Sequence, residues 1–357
     1  MLKLLIVAGV ACVSTPLLAQ AAATPASEPA KPAFDKADAE KAVTELAAAI
    51  EDQFLFPDAG KAYAAMLRAN LAKGAYASFP DAPSFARKVT ADLQAVHKDG
   101  HLRLEVAPPP EQRGQAQAPN GGPADVSAVT KSGWLADGVA YIAFDGFPGN
   151  EPTLAATRKF LSEHANARTL IIDARNNGGG GLAEMNLIFA QIFARPTVLV
   201  DMDIRTAVEA KYGTPFDPKD PLMRRIEGPE TINRREHLAI PAAQQSALKD
   251  AKVFLLTSRR TFSAAEHLSL SLKRTHRATL VGEATGGGAH FGGMSTMGQG
   301  YGAFIPVGRT FDPDNGKSWE GTGVSPDVAV PADKALDEAL KLAGVKSSAS
   351  AALTSLR

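Results

Sequence analysis

Apolar residues recur at helical spacing through the first third of the chain. Val43, Leu46, Ala47, Ile50 and Phe54 fall at i, i+3, i+4, i+7 and i+11, the stripe of an amphipathic helix. Pro57-Asp58 breaks the stripe, and Asp58 can cap a second helix carrying Tyr63, Met66, Leu67 and Leu71 that stops near Gly74. A third helix starts at Asp81, takes Pro83 in its first turn and buries Phe85, Val89, Leu93 and Val96. Three amphipathic helices with short breaks predict a small bundle over residues 35–105, read as a structural cap on a larger domain.

The texture then changes. Residues 106–126 are polar and rich in Pro and Gly, a linker. Beyond it, short apolar runs alternate with helical patterns over residues 127–340. Strands are predicted at 138–145, 169–173, 197–201, 253–257 and 278–282, and helices at 153–165, 182–194 and 263–274. This alternation argues for an α/β core with some parallel pairing. Residues 202–250 read as irregular, with prolines at 215, 218, 221, 229 and 241. A connection that long raises the expectation of a lid. Residues 341–357 read as a C-terminal tail. No internal repeat is visible.

Composition narrows the classes. The 357 residues are 45% hydrophobic and 21% charged, ordinary for a globular chain of about two domains. Lys+Arg and Asp+Glu both total 38. A net charge of zero argues against a general polyanion binder, so nucleic acid is not an expected partner. Lys3, the apolar run Leu4 to Val13 and Ala19-Gln20-Ala21 form a signal-peptide pattern over residues 1–21, with cleavage after Ala21 and a flexible leader over 22–34. A lipid anchor through Cys12 is the weaker reading, because Gly9 stands three residues before it. Cys12 is the only cysteine, so a cleaved chain has no thiol chemistry, no disulfide and no Cys-rich zinc site. The expected location is periplasmic or secreted, with no stable membrane insertion after cleavage.

Four segments could carry chemistry. Thr261-Phe-Ser263-Ala-Ala-Glu266 places a serine between a buried strand and a helix. Ser263 there is either a plain N-cap with Glu266 closing a capping box, or a nucleophile at a helix N-terminus. Asp173-Ala-Arg-Asn-Asn-Gly-Gly-Gly-Gly181 lets backbone N–H groups approach a ligand. It could be an oxyanion hole, a phosphate cradle or a bland turn; no phosphate-loop spacing is present. His101, in Asp99-Gly-His-Leu, is a candidate base or a structural histidine. Glu320, between Trp319 and Gly321, is by itself only a loop acid. His290 could line a cleft. Arg224, Arg225, Arg234 and Arg235 form either a solvated surface or a clamp for an acidic peptide terminus.

Taken in order, His101, Asp173-to-Gly181, Thr-Phe-Ser-Ala-Ala-Glu266, Val281-Gly-Glu-Ala-Thr-Gly-Gly-Gly-Ala289 and Glu320-Gly-Thr-Gly-Val-Ser-Pro-Asp327 resemble the tail-specific serine proteases. The likeness is to their tricorn-like branch, which includes bacterial relatives of interphotoreceptor retinoid-binding protein, and it spans roughly residues 38–340. It implies a Clp-protease/crotonase-like α/β core preceded by the helical domain. Better-known members pair the serine with a lysine, but the matching position is Gly288; they also carry a PDZ domain, for which segment 102–137 has no room.

The resemblance therefore implies a Ser–His–Glu mechanism with nucleophile Ser263, base His101 and orienting acid Glu320, the acid on the far imidazole nitrogen. The oxyanion hole falls to the amides of Gly179 and Ala264. No metal or cofactor is implied, and the partner is a peptide or unfolded protein. Two alternatives remain open: a hydrophobic-ligand or peptide binder on the same fold, and a non-peptide acyl hydrolase. Retention of all three side chains favours an enzyme over a binder.

Overall fold

A computed structural model describes residues 32–108, 124–244 and 246–356. The signal segment expected at 1–21, most of the leader at 22–34 and most of the linker at 106–126 lie outside the described residues.

In chain order the helices are α1 Lys36–Gln53, α2 Pro57–Ala72, α3 Ala82–Val96, α4 Glu151–Glu163, α5 Ala183–Ile192, α6 Thr206–Tyr212, α7 Ala264–Arg274, α8 Ala335–Leu342 and α9 Ala349–Thr354. The strands are β1 Arg103–Val106, β2 Val129–Ala136, β3 Val139–Phe144, β4 Thr169–Asp173, β5 Thr197–Arg205, β6 Met223–Ile226, β7 Ile232–Ala239, β8 Lys252–Thr257, β9 Thr279–Gly282, β10 His290–Met297, β11 Tyr301–Phe311 and β12 Val328–Ala329.

One six-stranded sheet runs β12-β9-β8-β4-β3-β2. All its neighbours are parallel except β2, which pairs antiparallel with β3. Its central strands are apolar on both faces because both are covered. Phe160, Met185, Ile188, Phe189, Leu268 and Leu272, from α4, α5 and α7, pack on one face against Ile142, Leu170 and Leu255. Leu336, Leu340 and Ala352, from α8 and α9, cover Tyr141, Ile171 and Phe254 on the other. The segment read as a tail is thus part of this layer. Leu336 and Leu340 are almost fully buried, which contributes about 2–3 kcal/mol each.

The second sheet runs β1-β11-β5-β7-β6, with β10 also on β11, and every pairing is antiparallel. Helices α1 and α3 begin at aspartate caps: Asp35 accepts from the Asp38 amide and Asp81 from the Ser84 amide. The three-helix bundle does not close on itself. Its core of Leu46, Ile50, Leu67, Phe85 and Leu93 is completed by Leu102, just before β1, and by Met297, Tyr301 and Ile305 of the second sheet.

Two parts of the core differ from expectation. Residues 202–250 are not an irregular connection: β5 extends to Arg205, and β6 and β7 pair beside it. Their prolines at 215, 218, 221, 229 and 241 all fall between elements. The four arginines there are paired rather than free. Arg224 meets Glu236 at 2.5 Å, Arg234 meets Asp203 at 2.7 Å, Arg235 meets Glu209 at 2.5 Å, and Arg225 donates to Asn233. The β10–β11 hairpin was also not foreseen. β10 reads His-Phe-Gly-Gly-Met-Ser-Thr-Met, without alternation, and contains a register shift between Phe291 and Gly292.

Candidate active site

The loops at the carboxyl ends of three adjacent parallel strands converge. β4 leads into the glycine run at 178–181, β8 into Ser263, and β9 into the glycine turn at 286–288. Such a rim is where open α/β sheets place ligands. The loops are tied together: Thr261 Oγ1 donates to the Ala174 carbonyl at 2.7 Å, Ser258 Oγ to the Arg175 carbonyl at 2.6 Å, and the Phe262 amide to the Asn177 carbonyl at 3.0 Å. Arg175 forks onto Asp173, with Nε 2.9 Å from Oδ1 and Nη2 2.6 Å from Oδ2.

Ser263 precedes α7 with φ 54° and ψ −120°. A non-glycine residue there is strained by about 1–3 kcal/mol, the kind of distortion that folds retain at functional turns. Its hydroxyl lies 2.9 Å from His101 Nε2. Its amide donates to Glu266 Oε2 at 2.9 Å. Glu266 is fully buried and also accepts from Thr285 Oγ1 and from the amides of Gly287 and Gly288, at 2.6–2.7 Å. Burial nonetheless pushes its carboxyl above the ordinary range. Glu266 braces the backbone of the serine and of the glycine turn together.

His101 comes from the other side, at the junction of α3 and β1. Its ring lies between Phe262, with centroids 4.7 Å apart, and Phe304, at 5.1 Å. Burial between these rings lowers its pKa to about 4, against a raising effect from the Asp99 carboxylate. Gly288 makes this placement possible. A Cβ there would come within 2.7 Å of His101 Cε1 and would overlap the Phe262 ring. A lysine at 288 and a histidine at 101 cannot share this space without displacement, which gives a steric reason for the absent Ser–Lys pairing.

The structure brings Ser263 and His101 together but does not place Glu320 on the far imidazole nitrogen. His101 Nδ1 is buried and has no hydrogen-bond partner among the described residues. The Glu320 carboxylate is occupied by backbone: Oε1 accepts from the Gly100 amide at 2.6 Å, and Oε2 accepts from Ala289 at 2.6 Å and His290 at 3.2 Å. It acts on His101 through the residue before it.

Asp99 is the acid that sequence reasoning passed over. Its Oδ1 accepts from the amides of His101 and Leu102, both at 2.9 Å, and its Oδ2 accepts from His290 Nδ1 at 2.7 Å. Burial opposes its ionisation, yet the bond and charge of His290 with the two amides hold its carboxyl below the usual range. The signal was present as Asp99-Gly-His101, but its partner His290 lies 191 positions away. Asp99, His290 and Glu320 could together offer three ligand atoms to a metal, within 4.8 Å of one another. Both carboxylates and His290 Nδ1 are already engaged by the hydrogen bonds just described, so the cluster reads as a bracing network.

The Gly179 amide expected in the oxyanion hole is already engaged within its own loop. The Gly179 N–H donates to Asn177 Oδ1 at 2.8 Å, and that of Gly178 to the Asp145 carbonyl at 3.3 Å. The Gly180 amide has no hydrogen bond among the described residues. Gly179 packs against the serine turn, where an added Cβ would lie 2.8 Å from Ser263 Cβ; its φ of 98° also requires glycine. Ala264 opens α7, so its N–H has no intrahelical carbonyl. Gly180, Ser263 and Ala264 together line a cavity of about 380 Å³.

A serine beside a histidine on an α/β rim is the pairing a serine hydrolase uses, and comparison with known proteins shows the class. Residues 138–330 match peptidase family S41, and residues 36–133 match the N-terminal domain of peptidase S41 in eukaryotic IRBP. The chain belongs to peptidase family S41 and is a serine-type peptidase acting on peptide or protein substrates. Among solved structures it is similar to the photosystem II D1 C-terminal processing protease, at 16% identity over 83% of this chain and 94% of that one, with TM-score 0.51. A putative peptidase from Parabacteroides merdae matches at 18% identity over 88% and 96%, TM-score 0.53. A lipoprotein from Streptococcus agalactiae matches at 16% over 85% and 95%, TM-score 0.53. At these identities the structures show a shared fold. No helix among the described residues is long and apolar enough to cross a membrane.

Proposed function

We propose that this peptidase cleaves peptide bonds through an acyl-enzyme on Ser263, with His101 as general base, after export from the cytoplasm. The observation that carries the reading is the 2.9 Å approach of Ser263 Oγ to His101 Nε2 on a strained turn at the strand ends. Neutral His101 takes the hydroxyl proton as Oγ attacks the scissile carbonyl. The oxygen that becomes anionic is received by the N–H groups of Ala264 and Gly180, a donor pair worth roughly 3 kcal/mol per member in such sites. The imidazolium returns its proton to the departing amine, and water then releases the acid by the same route.

Glu320 is the third member in a changed sense. It fixes the Gly100 amide, and with it the arm bearing His101. Asp99 supplies negative charge nearer the imidazolium. Both are positioning residues, because neither touches the reacting atoms. Export rests on the sequence pattern of residues 1–21.

The test is labelling of the purified protein with a fluorophosphonate probe, with Ser263→Ala as control. A label mapped to Ser263 and lost in the variant is expected. A folded protein that takes no label at Ser263 overturns the reading and favours a binding role.

A further inference from the structure

The cavity beside Ser263 has a polar end that the reaction does not use. His267 lies one turn beyond Ser263 on α7, and His237 comes from β7. His237 Nδ1 is 2.8 Å from His267 Nε2, and His237 Nε2 is 2.9 Å from Asn186 Oδ1. With the Asn186 amide oxygen turned toward His237, the chain of bonds assigns the protons: that oxygen accepts, so His237 carries its hydrogen on Nε2. His237 Nδ1 must then accept, so His267 carries its hydrogen on Nε2. His267 Nδ1 is left as a bare lone pair.

His267 lines the cavity with 3% of its surface exposed, and its Nδ1 has no hydrogen-bond partner among the described residues. Burial keeps both rings neutral, lowering His237 to about 3 and His267 well below its ordinary value. Leu182, Met202, Phe216, Met223 and Phe291 supply apolar wall, and His290 and Thr310 also line the cavity. No lysine or arginine lines it among the described residues, so an acidic side chain has no partner there. Asp217 and Asp220 also line it, each accepting a backbone N–H of its own turn, from Lys219 and Leu222.

On the reading of Ser263 as nucleophile, the cavity falls on the acyl side of the scissile bond. Ser263 and the amide-bearing Gly180 and Ala264 line it, whereas His101, which must reach the departing amine, does not. We infer that this cavity selects a substrate residue whose side chain is a large apolar body ending in a hydrogen-bond donor, tyrosine above phenylalanine, with His267 Nδ1 as the acceptor. The inference rests on the reading of Ser263 as nucleophile. A side chain without a donor would cover the lone pair and leave it unsatisfied, whereas one with a donor would pair it.

The test uses three internally quenched peptides that differ only at the acyl-side residue: Tyr, Phe or Lys. The expected kcat/KM for Tyr exceeds that for Phe by roughly tenfold or more, with Lys lower still. In His267→Leu the Tyr/Phe ratio should collapse to within about twofold, as removal of the acceptor removes the discrimination. This ratio does not depend on how much of the variant folds, since one preparation reads both peptides. Phe equal to or better than Tyr, Lys best of the three, or an unchanged ratio in His267→Leu overturns the inference. Fluorophosphonate labelling at Ser263 without cleavage of the Tyr peptide overturns this inference alone. Absence of labelling and of cleavage overturns the nucleophile reading, and this inference with it.

Discussion

The burial of His101 predicts a pH profile unlike that of an exposed histidine base. An imidazole with the ordinary pKa near 6.5 is only about 10% neutral at pH 5.5. With its pKa at about 4, His101 would be about 97% in its base form there. Acylation measured at pH 5.5 and 7.5 should therefore differ by less than about twofold, where an ordinary base would lose about tenfold. The assay is the initial rate of fluorophosphonate labelling, read within seconds of a pH jump so that the protein stays folded. Brevity matters because the same burial acts on stability. The folded pKa lies below the unfolded one, so the unfolded chain takes the proton first. Stability is fully present above about pH 6.5 and falls as pH drops toward the folded value. By pH 5.5 His101 and His237 would each remove about 1.4 kcal/mol. A labelling rate that drops tenfold between pH 7.5 and 5.5, with the circular dichroism unchanged, would refute the claim that the Phe262–Phe304 sandwich sets the basicity of His101.

Three further outcomes can be checked directly. Ser263→Gly should abolish labelling and raise stability by about 1 kcal/mol in urea denaturation, because glycine adopts φ 54° freely; a lowered midpoint would count against strain at this residue. Gly288→Ala should lower kcat/KM by about a hundredfold or more by displacing the His101 ring, and Gly288→Lys should be no better; activity retained in the lysine variant would mean that the two side chains can share the space. Asp99→Asn keeps an acceptor for the His101 and Leu102 amides but removes the charge, so kcat/KM should fall about tenfold or more with a further lowered acid limb; an unaltered pH profile would reduce Asp99 to a structural brace.

The parts of this molecule that were legible in the sequence are those whose signal is local. The three amphipathic helices, the parallel strands and the helix after Ser263 each follow from contiguous patterning. Apart from the start of β5, the second sheet was not legible because its strands contradict such patterning. β11 contains Gly302, Pro306 and Gly308, and β10 contains two adjacent glycines. These small or ring-closed residues sit where other groups come close, as Gly308 does beneath Phe291. Residues 202–250 hid their strands for another reason: across the ladder Arg224 faces Glu236 and Arg234 faces Asp203 as ion pairs rather than as an apolar stripe. At the site, a serine on a strand-to-helix turn leaves a local trace. A carboxylate and a histidine that meet from 191 positions apart, as Asp99 and His290 do, leave none.

The separation of acids around His101 has a chemical consequence. In a linear Ser–His–acid arrangement one carboxylate orients the ring and also stabilises the imidazolium. Here His101 Nδ1 has no such partner among the described residues, and the ring is oriented instead by packing between two phenyl rings. Packing fixes orientation but opposes charge, which is why the resting pKa falls. In the mechanism proposed above, the imidazolium formed during acylation must then be stabilised by charge acting through space. A carboxylate ~5 Å from a cation at an effective dielectric near 20 stabilises it by on the order of 3 kcal/mol. Asp99 is suited to this role because its own charge is secured by two amides and His290, so it stays ionised in a site that would otherwise protonate it. Glu320 holds the adjoining backbone in register from the opposite loop. Orientation, charge and backbone position are thus supplied by three different groups, and loss of any one should weaken catalysis without erasing it, unlike loss of Ser263.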